Sequence, residues 1–157
     1  MVLESQQKGT DVGVQIHHLP FADLPAVKRS DEIVNFVIAG PKQGARNIKS
    51  GITRMRAGSV VPGHTHNCEE QATVLQGRIR FVIGGRVVEC GPYDSTYISG
   101  GVPHEFANIG GSDALVMVIY GASHVTRTFN DTGETVDVGS EADVFPPREP
   151  NTRPVNA

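Results

Sequence analysis

The chain has 157 residues, of which 38% are hydrophobic, 20% charged and 6% aromatic, with no tryptophan. That length fits one domain with a core large enough to need no metal or disulfide staple, and the core must be mainly aliphatic. Fourteen basic against 17 acidic residues leave a formal net charge of −3, too mild for a nucleic-acid or acidic-membrane partner.

Eighteen glycines and ten prolines predict many turns and short strands, not a helix bundle, coiled coil, collagen or a wholly disordered chain. No apolar run approaches the ~20 residues of a membrane helix. The start, Met1-Val2-Leu3-Glu4-Ser5-Gln6-Gln7-Lys8, lacks the basic-then-apolar layout of a signal peptide. Two cysteines, Cys68 and Cys90, make no disulfide framework. A cytoplasmic, thiol-reduced protein is therefore expected.

In chain order, residues 1–11 read as a polar tail and Val12–His18 as a short, partly alternating strand. Leu19–Ser30 carries Pro20 and Pro25 and reads as a loop, with room for a helix only near Ala22–Ser30. Residues 1–30 are thus a tail and lead-in. Glu32–Ile38 predicts a buried strand. Short strands then follow at regular spacing: Ile48–Ala57, a turn region at Gly58–Gly63, Glu70–Gln76, Arg78–Ile83, Arg86–Cys90, Ser95–Ser99 and the very apolar Ala114–Tyr120. Ile79, Phe81 and Ile83 share one face, with Arg78 and Arg80 on the other. Gly84-Gly85 between two such runs is a strong hairpin signal. Strands about ten residues apart with Gly and Pro turns predict an all-β sandwich or barrel, here over residues 31–130. Residues 131–157, acidic early and with Pro146, Pro147, Pro150 and Pro154, predict a partly flexible C-terminal extension whose end has no core of its own.

Metal-binding residue types gather in His64-Thr65-His66-Asn67-Cys68-Glu69-Glu70. On an extended chain residues two apart point to the same side. His64 and His66 can so present two imidazoles to one ion, and Glu70 continues their parity. His104, in the Gly-rich turn Gly101-Val102-Pro103-His104, offers a third imidazole. Three imidazoles and one carboxylate suit a divalent transition metal, Fe, Mn, Ni, Zn, Co or Cu. They do not suit Ca or Mg. Four ligands in an octahedral field leave two positions open, the layout of a catalytic site.

The sequence here resembles the cupins. Their first motif reads Gly58, five residues, His64-Thr65-His66, three residues, Glu70, six residues, Gly77, with every spacing met. The second half of their second motif reads Gly101, two residues, His104, three residues, Asn108. Its first half departs: Ser99 stands where Pro is usual, and Gly91 lies two residues early, so a small insertion falls around Pro92–Asp94. The match runs over about residues 48–121. It implies an antiparallel jelly-roll barrel with a metal inside on His64, His66, Glu70 and His104, and a homodimer. The family's functions are broad, and its fold constrains function weakly.

Other residues weigh less. Glu69 has the opposite parity and reads as a solvated rim carboxylate that replaces Glu70 only if the register slips. Cys68 reads as a half-buried cysteine beside the site and Cys90 as packing. His17, His18 and His124 read as structural or surface residues. Arg54 or Arg56, Gln71 or Ala72, Phe81, Tyr97, Phe106 and Met117 form the pool for a cavity wall. An inward Arg there would fork onto a carboxylate, although Arg54 and Arg56 more readily face solvent. Asn108 is expected to fix a turn, and Gly58, Gly77 and Gly101 to supply backbone angles. The catalytic groups stay unassigned. The reading is a divalent-metal cupin acting on a small oxygenated or carboxylated substrate, dioxygenase- or isomerase-like. The alternative is a non-enzymatic small-molecule binding or sensing module. A metal-free epimerase with Tyr97 as the acid is a third reading, against which the intact ligand set argues.

Overall fold

Along Ala114–Tyr120 every second side chain, Ala114, Val116, Val118 and Tyr120, is buried, and Leu115, Met117 and Ile119 are only half-buried. This two-residue period recurs through the computed structural model, which describes residues 15–147. Two six-stranded antiparallel sheets result. The first runs in the order β1 (Ala26–Lys28), β2 (Ile33–Ala39), β3 (Lys49–Met55), β10 (Ala114–Tyr120), β5 (Glu70–Gln76), β8 (Ser95–Ile98). The second runs β12 (Thr135–Asp137), β11 (Thr126–Phe129), β4 (Val60–His66), β9 (His104–Asn108), β6 (Ile79–Ile83), β7 (Arg86–Cys90). The chain crosses repeatedly between the sheets, which gives a jelly-roll barrel.

The inner faces meet in a core of Ile33, Met55, Val61, Val74, Ile79, Phe81, Val116 and Val125, each at most 2% exposed. Each such side chain contributes about 1.5–3 kcal/mol of apolar transfer. The Gly84-Gly85 hairpin joins β6 to β7, both glycines at positive φ, and pairs Ile83 with Arg86. Arg78 and Arg80 lie on the outside of that sheet and reach Glu89. Asn108 is buried and ties a turn together: its amide donates to the Met55 and Ser112 carbonyls, and its Oδ1 accepts from Gly110 N–H. Gly58, Gly77 and Gly101 all sit at positive φ. At Gly77 a Cβ would also stand 2.8 Å from that of Ala114.

Four expectations are corrected. Residues 15–18 form no strand and are exposed, and Val12–Val14 lie outside the described residues. The helix near Ala22–Ser30 reduces to a short 3-10 turn, Phe21–Asp23, followed by β1. Leu24 is extended, as the residue before a proline prefers. The turn at Gly58–Gly63 ends early, because β4 already starts at Val60 and carries Pro62 and Gly63 within it. Finally, sheet and core continue past residue 130. β12 pairs with β11, and Val136, Val138, Asp143 and Phe145 are all buried. Their spacing among glycines and charges gives no local sign of this, since the burial depends on β11 offering an edge to pair with.

Candidate functional site

The pairing of β4 with β9 slips between Val61 and His64. This bulge lets Val61 and, three residues on, His64 both face inward. Gly63 sits within it, where a Cβ would come 2.8 Å from the Asn130 amide. Beyond the bulge His64 and His104 are direct cross-strand partners, which brings together residues far apart in the chain. Glu70 opens β5 on the facing sheet with its side chain inward, and Glu69 faces out.

The outcome is a cluster of His64, His66, Glu70 and His104, one donor atom from each lying within 4.8 Å of all the others. All four residues are at most 4% exposed. Each imidazole spends its Nδ1–H on a backbone carbonyl: His64 on Pro62 at 2.6 Å, His66 on Thr126 at 2.7 Å and His104 on Val102 at 2.9 Å. That fixes the tautomer and leaves each Nε2 as a lone pair aimed inward. His64 Nε2 and His66 Nε2 stand 3.1 Å apart. Glu70 Oε2 lies 3.0 Å from His66 Nε2 and 3.4 Å from His104 Nε2. Glu70 Oε1 is buried with no hydrogen-bond partner, and so is His104 Nε2. Lone pairs and a carboxylate pointed at one another need a cation between them. The donor set therefore fits a divalent transition metal.

The electrostatics agree. Burial, then the charge of Arg127, then the neighbouring imidazoles hold His64 well below the usual histidine range, so it is neutral and free to donate its lone pair. Burial opposes ionisation of Glu70. A positive partner at His104 and His66, a proton on Nε2 or a metal ion in its place, outweighs it and holds the carboxyl far below its ordinary range.

A cavity of about 40 Å³ opens onto this cluster, with His64, Glu70, Val61, Phe106 and Tyr120 in its wall. That is room for about three waters. Of the predicted wall residues, Ala72, Phe81 and Phe106 are buried inside, and Phe106 reaches the cavity. Arg54, Arg56, Gln71 and Tyr97 are exposed, and Met117 lies on the outer face of β10. Arg54 stacks on Phe36, and the Tyr97 hydroxyl donates to Glu69 at 2.6 Å. An exposed Tyr97 cannot oppose a buried histidine, which removes it as the acid of an epimerase. His124 pairs with Asp137 on the surface, and His17 and His18 are exposed. Cys68 is half-buried, stands outside the donor cluster, and has a thiol pushed up by burial. Cys90 is buried as packing.

The inward cations that the sequence reading missed are Arg127, Arg29 and Lys49, all in the cavity wall. Arg127 is the cross-strand partner of His66. Tyr120 was also missed: it pairs with Glu70 on one side and Lys49 on the other, and its ring meets that of His66 edge-on at 4.9 Å. Burial and the Glu70 charge push the Tyr120 hydroxyl well above its ordinary range, so it is a neutral donor. The signal for Arg127 was present: it shares parity with Val125 and Phe129, which makes it an interior position of a β-strand.

A barrel with three convergent imidazoles and a carboxylate inside is a metal-competent jelly roll. Residues 51–120 match the Cupin domain family, and the fold is shared with solved cupin structures. Among solved structures it is similar to a sugar phosphate isomerase of the cupin superfamily from Silicibacter pomeroyi, at 17% identity and a TM-score of 0.64, covering 77% of this chain and 86% of that one. It is also similar to the polyketide cyclase RemF from Streptomyces resistomycificus, at 21% identity and a TM-score of 0.62, covering 75% and 89%. A variant of oxalate decarboxylase from Bacillus subtilis aligns at 20% identity and a TM-score of 0.59, over 66% of this chain and 28% of that one. At these identities the likeness is one of fold. No curated protein matches the sequence. No helix among the described residues is long and apolar enough to cross a membrane.

Proposed function

We propose that the chain is a metal-dependent cupin enzyme acting on a small oxygenated substrate, with His64, His66, Glu70 and His104 as the metal ligands. The observation that carries this is the set of three inward Nε2 lone pairs, each fixed by an Nδ1–H bond, facing a carboxylate with an orphaned oxygen. A divalent first-row ion held there supplies Lewis acidity toward a substrate oxygen. Tyr120, a neutral hydroxyl paired across from Glu70, donates a hydrogen bond to that oxygen. Val61 and Phe106 keep the cavity apolar on one side and limit water. A neutral hydrogen-bond donor beside the ligand cluster can stabilise charge building on a substrate oxygen, which suits isomerase-like chemistry. The sugar phosphate isomerase and the polyketide cyclase named above share the fold, which is support by analogy.

The test is elemental analysis of the purified protein beside a His66→Ala control, followed by turnover assays on small ketones and acids with and without oxygen. Near-stoichiometric Fe, Mn, Ni, Co, Cu or Zn, lost in the control, supports the reading. Oxygen uptake coupled to substrate loss moves it to a dioxygenase. Tight ligand binding with the ligand recovered unchanged moves it to a sensor. No metal in either protein after reconstitution overturns it.

The same reading includes a homodimer. The outer face of the first sheet carries Phe36, Ile52, Leu115, Met117 and Ile119, all only half-buried. Met117, Ile52 and Phe36 lie in one cross-strand row, and Phe21, 54% exposed, stacks on Phe36. An apolar face of this kind is a natural surface for a second copy.

A further inference from the structure

We propose that Arg127, Arg29 and Lys49 form an anion-recognition wall that selects substrates bearing a carboxylate group, and this rests on the metal-dependent reading above. All three residues line the same cavity as His64 and Glu70. Arg127 and Arg29 are 6% and 4% exposed. Strand pairing sets Arg127 opposite His66, and Lys49 next to Tyr120, whose other partner is Glu70. A molecule in the cavity therefore meets both ligand donors and cations.

The charges of this wall do not balance. Among the described residues the buried carboxylates are Glu70 and Asp143. Glu70 belongs to the donor cluster. Asp143 alone then faces two guanidiniums and an ammonium. It pairs with both arginines and accepts from Gly139 N–H, while Arg29 also donates to its backbone carbonyl, so one negative charge is shared between two guanidiniums. Lys49 donates only to the neutral Val138 carbonyl. Arg127 Nε is buried with no partner. The other acid near Lys49, Asp137, is exposed and held by His124. Buried cations without a counterion are costly, and guanidinium does not escape the cost by losing its proton. An anion in the cavity removes it.

Cavity size and group geometry choose the anion. About 40 Å³ admits a few heavy atoms. A planar carboxylate matches the fork of an arginine and accepts from an ammonium beside it. The substrate class is then a short carboxylic acid carrying a second oxygen function, the carboxylate on the basic wall and the second oxygen toward the ligand cluster.

The experiment is calorimetric titration of the metal-loaded protein with malonate, its neutral counterpart malonamide, and inorganic phosphate. It is repeated on Lys49→Met and Lys49→Arg, with metal content measured on every sample. Lys49 is half-buried and not fastened to Asp143, so its loss spares the fold; the circular dichroism and melting curve of each variant check this. The expected result is binding of malonate but not malonamide, a weakening of at least tenfold in Lys49→Met, partial rescue in Lys49→Arg, and unchanged metal content. Equal binding of malonamide, no binding of any probe, or no change in Lys49→Met overturns the proposal. Phosphate preferred over malonate overturns the carboxylate assignment. Selective malonate binding by a protein that holds no metal would sink the metal reading and leave the basic wall standing.

Discussion

Arg127 on β11 is the cross-strand partner of His66 on β4, and both side chains turn into the barrel. A permanent cation thus stands beside the imidazole cluster, and after burial it is the largest influence keeping His64 neutral. The same register fastens the C-terminal segment to the barrel, because Arg127 and Arg29 share the Asp143 carboxylate. Phe145 completes the joint: its N–H donates to the Arg29 carbonyl, and the Arg127 guanidinium lies over its ring.

Asp143 is fully buried, so Asp143→Ala leaves two guanidiniums without their shared counterion. Breaking a buried ion pair from one side costs about 3–5 kcal/mol. Urea unfolding monitored by circular dichroism should show a loss of that size. A loss under about 1 kcal/mol would mean that the carboxylate does not hold the segment down.

Metal removal is expected to lower the melting temperature. An ion that joins His64 and His66 on one strand to His104 and Glu70 on others binds the folded chain alone. At a hundredfold excess over Kd this stabilises by about 2.7 kcal/mol, or about 5–10 °C for a chain of this size. Calorimetry with and without a chelator reads it, and His104→Ala should abolish the difference. An unchanged melting temperature after complete removal would place any metal outside the barrel.

The metal-free protein should lose stability as the solution is acidified through the ordinary histidine range. Burial lowers the folded pKa of His64 below its usual value. The unfolded chain therefore takes up a proton, below about pH 6.5, that the folded chain refuses. Stability from this group is complete above that pH and falls by up to about 1.4 kcal/mol per pH unit below it. Urea midpoints measured from pH 8 to pH 5 test the slope, and His64→Gln should flatten it. A flat profile in the parent protein would mean that His64 is charged or exposed.

Much of the barrel and the donor cluster was legible because the responsible signals are local. Alternation in Arg78–Ile83, the Gly84-Gly85 turn and the parity of His64, His66 and Glu70 each depend on a few adjacent residues. Two parts were not legible, and a third was legible only through flanking parity. The bulge at Pro62–Gly63 reads as a turn, since Pro and Gly punctuate both. Tyr120 reads as the end of an apolar strand, because its place beside Glu70 comes from pairing across the sheet. Arg54 and Arg127 look alike as arginines in short strands, yet one stacks outside on Phe36 and the other is buried beside His66. Flanking parity separates them: Val125 and Phe129 accompany Arg127 inside, whereas Ile52 accompanies Arg54 on the outer face.

The outer face of the first sheet yields the last prediction. Met117 is paired with Ile52 on β3 and Thr73 on β5, so it sits at the centre of the sheet and not at an edge. It faces away from the core formed by Val116 and Val118. A dimer built on this face would bury Met117 near its middle, where substitutions cost most. Met117→Lys extends a charge from that centre while leaving the inner face of β10 unchanged. Light scattering coupled to size exclusion should then give twice the chain mass for the parent protein and the single-chain mass for the variant, with the melting curve still cooperative. A parent protein of single-chain mass across the accessible concentration range would remove the dimer. A dimer that survives Met117→Lys unchanged would move its interface to the edge strands, where β1 and β8 leave one side of each ladder unpaired.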